Sequence, residues 1–341
     1  MKWVAIDADV LGRRRTGDET YVLNLLRALA PLAAAAGLRV AAITRRPELV
    51  PAGIEAVELS TPSQELRMAV TLPRLLRRLG AALGHFQYAL PLRLPCPAVV
   101  TIHDLSFERD HSLMGRKDGL VFRTLVPRAA RRAARVLTVS ERTRRDLTEL
   151  YGIPDERIVV TPNGVDPAFT PGEPSNRLLL GSYALFVGAV QERKNPLAAL
   201  TGAAAAGLPL VVAGPAKDAE LGRELERRGA RVTGYVPQEE LVELYRGAAC
   251  LLQTSRYEGF GLPVLEAMAC GIPVVAVDEP ALREVGGDAA IYSSEAGLAE
   301  AMRQALAERE QRGAAGIARA RLFSWETAAR RTLEVYGEIL R

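Results

Sequence analysis

Short apolar runs alternate with amphipathic helical stretches along nearly the whole chain, and one segment rich in Pro, Gly and Asn, residues 162–175, interrupts them. Before that segment, runs at 2–7, 38–44, 83–88, 98–102, 136–140 and 158–161 have the length and composition of buried strands. Helical patterns at 18–35, 66–79 and 115–135, and one starting near Glu141, separate them. Past the segment the alternation restarts, with strands at 183–187, 208–213, near Val232, and at 249–253, 274–277 and 289–292. Helices are predicted there at 195–206, 218–228, 238–248, 263–270, 295–309 and 325–341. Strand–helix alternation of this kind predicts parallel, doubly wound sheets. Its interruption predicts two Rossmann-like α/β domains facing a cleft, the first over residues 1–170 and the second over 177–324. At 341 residues each domain has chain enough for its own core.

One stretch carries the densest chemistry: Glu258-Gly-Phe-Gly-Leu-Pro-Val-Leu-Glu266. It follows the strand at 249–253, Pro263 suits the first turn of a helix, and Gly271 and Pro273 end that helix. Glu258 is therefore expected in a loop and Glu266 about one turn inside the helix, roughly 6 Å along its axis from the helix start. Gly259 and Gly261 let backbone approach a ligand, and the free N–H groups of a helix start favour an anion. Two carboxylates flanking an anion site match a sugar nucleotide, which has hydroxyls on either side of a diphosphate. A plain capped helix would explain one such Glu, but not two with two glycines and Pro263 between them.

Gly188-Ala-Val-Gln-Glu-Arg-Lys-Asn195 is the second candidate. Arg193 and Lys194 follow a strand and precede a Pro-started helix, a place where two cations would meet a departing diphosphate as its charge grows. The chain has 40 arginines and four lysines, so a lysine beside an arginine stands out from its background. A third candidate is His103-Asp104, just past the carboxyl end of the strand at 98–102, where open α/β sheets place ligand groups.

Other classes are disfavoured. Cys96, Cys250 and Cys270 form no C-x-x-C and lie in apolar contexts, which argues for reduced thiols in a cytoplasm and against a zinc site. Asp7 and Asp9 break the first apolar run, against a signal peptide, and no apolar run approaches the roughly 18 residues of a membrane span. The Gly12–Gly17 spacing lacks the Lys of a phosphate-binding loop, since Asp18 follows. Residues 1–170 carry 25 Lys and Arg against 18 Asp and Glu, a net of +7, and the remainder carries 19 against 22, a net of −3. The basic half, with helices at 66–79 and 115–135, points to peripheral contact with anionic membrane, although an arginine-rich coding bias explains the same excess. With aromatics at 5% and no basic–aromatic interleaving, nucleic acid is not an expected partner.

The E-x7-E run Glu258–Glu266, Arg193-Lys194-Asn195, Thr101-Ile-His-Asp104, Val136-Leu-Thr-Val-Ser140 and Pro162-Asn-Gly-Val-Asp166, in this order, resemble the retaining glycosyltransferases of family 4 with the two-domain GT-B fold. The resemblance implies hexose transfer with retention from a nucleotide sugar to a glycan or lipid-linked acceptor, without a metal or other cofactor. It implies that the second domain holds the donor, the first the acceptor, and that the helix at 325–341 returns to the first domain. It assigns Glu266 to the ribose, Glu258 and His103 to the donor sugar, and Arg193 and Lys194 to the diphosphate. Gly259, Phe260, Gly261 and Leu262 supply N–H groups. Gly188 and the loops at Gly214 and at Tyr235-Val236 complete the donor site, and Gly17, Asp104 and Asn163 are further candidates. Two departures stand out: Asp18 follows Gly17 where members often have a further Gly, and Ala189 follows Gly188 where many have Arg. The wording Thr-Ile-His-Asp-Leu-Ser-Phe and Gln-Glu-Arg-Lys-Asn is closest to mannosyltransferases using GDP-mannose. The alternatives are a UDP-sugar enzyme transferring glucose or N-acetylglucosamine, a sugar-nucleotide 2-epimerase, and an inactive nucleotide-sugar-binding protein. An epimerase would want more acid–base groups than His85, His103 and His111 offer.

Overall fold

The computed structural model describes residues 1–13, 16–109, 116–174 and 182–341, so His111, Gly115 and Ser175 lie outside the described residues. The chain divides into two units, Met1–Gly164 with Ser324–Arg341, and Val165–Phe323.

The strands of the first unit are β1 (Lys2–Asp7), β2 (Leu38–Thr44), β3 (Glu55–Glu58), β4 (Ala81–Gln87), β5 (Ala98–Ile102), β6 (Arg135–Thr138) and β7 (Ile158–Val160). Its helices are α1 (Thr16–Ala33), α2 (Gln64–Leu66), α3 (Leu72–Leu79), α4 (Ser106–Arg109), α5 (Arg116–Arg132) and α6 (Glu141–Tyr151), with a π turn at Arg67–Thr71 joining α2 to α3. The strands pair in parallel in the order β3-β2-β1-β4-β5-β6-β7. β5, Ala-Val-Val-Thr-Ile, is buried at every residue, as a central parallel strand covered on both faces must be. The chain's last helix, Trp325–Leu340, belongs to this unit and packs on α1. Tyr336 on that helix reaches His85 on β4.

The second unit has β8 (Tyr183–Val187), β9 (Leu210–Ala213), β10 (Arg231–Gly234), β11 (Ala248–Gln253), β12 (Val274–Val277) and β13 (Ile291–Ser293). Its helices are α7 (Pro196–Ala205), α8 (Ala219–Arg227), α9 (Gln238–Gly247), α10 (Leu262–Ala269), α11 (Pro280–Gly286), α12 (Leu298–Ala307) and α13 (Arg309–Ala320); the last helix of the chain is α14. The sheet is again parallel, in the order β10-β9-β8-β11-β12-β13. In each unit the winding reverses between the first strand and the fourth, β1 and β4 or β8 and β11. Ligands of such sheets bind beyond the carboxyl ends of the strands at that reversal. β3, α11 and α13 are elements that the sequence pattern did not predict.

Candidate functional site

In the second unit the reversal lies between β8 and β11, and the loops leaving these two strands carry Arg193, Lys194 and Glu258. The first loop ends in a 3-10 turn, Glu192–Lys194, and Asn195 follows in the left-handed region (φ 50°), which Asn tolerates better than most residues. The two loops are tied together. Arg256 N donates to the Arg193 carbonyl at 2.9 Å, Thr254 Oγ1 donates to the Asn195 carbonyl at 2.8 Å, and an Arg193 guanidinium N–H donates to the Tyr257 carbonyl. Lys194 Nζ donates to Glu258 Oε1 at 2.5 Å, with an Arg193 nitrogen 3.8 Å from Oε2. Gln253, the last residue of β11, donates its amide to the same Oε1 at 2.7 Å. Glu258 is only 6% exposed. Burial pushes its carboxyl up, but the charges of Lys194 and Arg193 and hydrogen bonds from Lys194 and Ser255 hold it below the usual carboxylate range.

Glu266 is buried on α10, and no side chain caps the start of that helix at Gly261. Its Oε2 accepts from Tyr245 Oη on α9 at 2.7 Å. Burial drives its carboxyl up to about 7; the Tyr245 hydrogen bond lowers it and Asp166 raises it further. The two carboxylates of one loop-and-helix segment thus face opposite surroundings, one beside two cations and one beside a phenol and a second carboxylate. Gly261 (φ 112°) makes the sharp turn into α10, with Gly259 and Phe260 buried before it and Leu262 half-buried after it. Gly188, with its own positive φ, ends β8. Gly214 ends β9, and a Cβ there would lie 2.1 Å from the Gly188 carbonyl oxygen, so the close pairing of these two loops needs glycine. Tyr235 is about half exposed and Val236 half-buried, both in the loop after β10.

The first unit places its candidates differently. His103 lies past β5, buried, with Nε2 2.9 Å from Gln87 Oε1 at the end of β4 and its ring 4.6 Å from that of Tyr21, edge to face. Burial lowers its pKa, and Asp18 and Asp104 oppose that. Asp104 Oδ1 accepts from the backbone N (3.0 Å) and hydroxyl (2.8 Å) of Ser106, an Asx-type turn into α4. Asn163 is buried with its Oδ1 unpartnered, and Gly17 sits in the first turn of α1 with open space around it. Asp7 and Asp9 are taken up by arginines: Asp7 pairs with Arg67, and Asp9 with Arg13 and Arg45, the last at 2.7 Å. No group of three or more His, Cys, Asp or Glu among the described residues could hold a metal ion.

Two residues of this arrangement escaped the sequence reading, Gln253 and Tyr245. A polar Gln closing the otherwise apolar Ala248–Leu252 run was a usable signal for the first. Tyr245 follows the helical spacing of a core residue, and nothing in one sequence distinguishes it.

The glycosyltransferase family 4 description matches residues 15–169, and that of the glycosyl transferases group 1 matches residues 181–320. An O-antigen chain mannosyltransferase B of Escherichia coli is 31% identical over 275 residues, 73% of this chain and 72% of that one. A D-inositol 3-phosphate glycosyltransferase of Kineococcus radiotolerans is 34% identical over 247 residues, 60% of this chain and 57% of that one. Among solved structures, a sucrose-phosphate synthase of Thermosynechococcus elongatus superposes with a TM-score of 0.77 at 21% identity, over 99% of both chains. A Rickettsia africae glycosyltransferase gives 0.73 at 15% identity, over 100% of this chain and 98% of that one. At these identities the superpositions establish the fold.

Proposed function

Since the chain belongs to glycosyltransferase family 4 and is a glycosyltransferase of GT-B fold, we propose that it transfers a hexose with retention from a nucleotide sugar, without a metal. Mannose from GDP-mannose is the donor favoured by the motif wording and by the mannosyltransferase relative. One observation carries the reading: Arg193, Lys194 and Glu258 meet at the strand reversal of the second unit, ahead of a helix start that no side chain caps. In the reaction the bond from the anomeric carbon to the diphosphate oxygen breaks and one to an acceptor hydroxyl forms. The hydroxyl proton ends on the released diphosphate or in solvent. Arg193 and Lys194 offset the charge growing on the diphosphate, Glu258 faces the transferred sugar, and Glu266 accepts from the ribose hydroxyls. Gly188, Gly214, Tyr235, Val236 and residues 259–262 are assigned to the rest of the donor.

We assign the acceptor, a glycan or a lipid-linked sugar, to the carboxyl end of the first unit's sheet, where Gln87 and Tyr21 hold His103. Leu120, Val121 and Leu125 are exposed on the Arg-rich helix α5, and we assign that surface to anionic lipid. No helix among the described residues is long and apolar enough to cross a membrane. The direct test is release of free nucleotide from GDP-mannose and from UDP-glucose in the presence of lipid-linked and glycan acceptors. Release of GDP dependent on acceptor supports the reading. Release from UDP-glucose alone moves the donor assignment, and binding without release in every pairing overturns the transferase reading of this site.

A further inference from the structure

Glu266 has surroundings that ribose binding alone does not require. Tyr245 is fully buried and its hydroxyl lies 2.7 Å from Glu266 Oε2 and 3.3 Å from the Pro263 carbonyl oxygen. Its one proton serves one of these acceptors at a time. The ring is fixed by Phe169, edge to face at 5.7 Å between centroids. Phe169 comes from the same entering segment as Asp166, whose charge acts on Glu266. Cys270, at the end of α10, also interacts with Glu266, and Arg246, next to Tyr245 on α9, acts on Cys270 and pairs with Glu243. On α13, which packs against α10, Arg309, Arg312 and Arg319 donate to backbone carbonyls of residues 248–249, 288 and 284–285.

We propose that Tyr245, poised between Glu266 Oε2 and the Pro263 carbonyl, is a positioning residue for Glu266, opposed by Asp166, and that together they make nucleotide-sugar affinity depend on whether Glu266 carries a proton. This rests on the assignment of Glu266 to the ribose. With Glu266 ionised, Tyr245 donates to Oε2, turns the carboxylate and leaves Oε1 for the ligand hydroxyls. With Glu266 protonated, the Tyr245 hydroxyl swings to the Pro263 carbonyl and the ribose loses its charged acceptor. The pair is a two-position hydrogen bond that couples donor binding to loss of one proton from the protein.

The probes are GDP-mannose and UDP-glucose, whose phosphates are all esterified and do not titrate near neutrality, with binding followed by calorimetry between pH 5.5 and 8.5. For the unmodified protein, affinity is expected to rise with pH up to about 7 and then level off, by about tenfold per unit on the rising limb. Glu266→Gln should bind weakly with a flat profile. Tyr245→Phe keeps the ring and removes the donor. Affinity near pH 7 should fall about tenfold and the midpoint should move to higher pH, whereas a packing defect would lower affinity by one factor at every pH. Asp166→Asn should move the midpoint the opposite way, and serves if the first variant folds poorly. A flat profile for the unmodified protein, or midpoints unchanged in both Tyr245→Phe and Asp166→Asn, overturns the inference while leaving the donor site standing. Failure to bind either sugar nucleotide overturns the donor assignment itself.

Discussion

In the first unit the titratable side chains buried beside the sheet reversal include two histidines, and in the second they include two glutamates. His85 sits on β4 between Tyr336 Oη at 2.6 Å and Thr101 Oγ1 at 2.7 Å, and Thr101 is 3.1 Å from the hydroxyl of Tyr21, whose ring rests against His103. Burial, with the charge of His103 adding to it, pushes His85 down to about 3, so this chain of hydrogen bonds is neutral at physiological pH. The second unit buries a charged cluster made by two loops, Glu258 against Lys194 and Arg193, where the first unit pairs Asp7 and Asp9 with arginines at the end of β1. The same strand order therefore supports a neutral network that fastens α14 to the sheet, and a charged cluster in which Lys194 and Arg193 lie against Glu258. Sheet topology sets where each cluster lies, and the residues at the strand ends decide what it does.

The largest effect expected to sharpen that comparison is on rate. Lys194→Met should lower turnover by about 10²–10³, because the lost cation acts mainly on the departing diphosphate. His85→Gln should leave turnover within a few-fold. Steady-state rates for the two variants side by side decide it, and equal losses would erase the distinction between the units.

Stability against pH should differ in sign. His85 has a folded pKa of about 3 against 6.5 unfolded, so between those values the unfolded chain binds more protons. The first unit accordingly loses stability as pH falls from 6.5 towards 3, by up to about 1.4 kcal/mol per pH unit. Glu266 runs the other way. Its folded pKa of about 7 exceeds the ordinary 4.5 of a glutamate, so its contribution is present below 4.5 and is lost as pH rises through about 7. Both tryptophans, Trp3 and Trp325, lie in the first unit, so urea unfolding followed by tryptophan emission reports that unit. His85→Gln should flatten its acid slope. Tyr336→Phe, which leaves His85 Nδ1 without its partner, should destabilise the same transition by about 1–3 kcal/mol at pH 7.

The smallest expected effect is none. Turnover in excess EDTA should equal that in its absence, because Arg193 and Lys194 supply the positive charge and the arginines Arg13, Arg45 and Arg67 already neutralise Asp7 and Asp9. A loss restored by Mn²⁺ or Mg²⁺ would show that the cations of the second unit do not suffice.

The fold was legible because buried parallel strands such as Ala98–Ile102 and Ala248–Gln253 are short apolar runs bounded by polar loops. β3 was not, since Glu-Ala-Val-Glu is an edge strand with a single buried residue. α13 was hidden by its glycines, which lower helix propensity. Packing explains them: a Cβ on Gly313 would lie 2.6 Å from the Gly271 carbonyl oxygen, so the helix approaches the end of α10 only as glycine. In the site, the loop position of Glu258 and the helical position of Glu266 followed from Pro263 and the glycines between them. The Lys194–Glu258 pair did not, for it joins residues 64 apart through two loops whose pairing the sheet order dictates. Tyr245 beside Glu266 is a meeting of two helices, and one sequence carries no trace of it.

The most direct test of the donor site separates its two carboxylates. Calorimetry with free GDP and UDP on Glu258→Gln and Glu266→Gln, each beside its turnover rate, is sufficient. The account predicts that Glu266→Gln weakens free nucleotide and sugar nucleotide alike, by about 1–3 kcal/mol, while Glu258→Gln binds free nucleotide almost as before and loses turnover. Loss of nucleotide affinity in Glu258→Gln with none in Glu266→Gln would contradict it and reverse the orientation of the donor in the site.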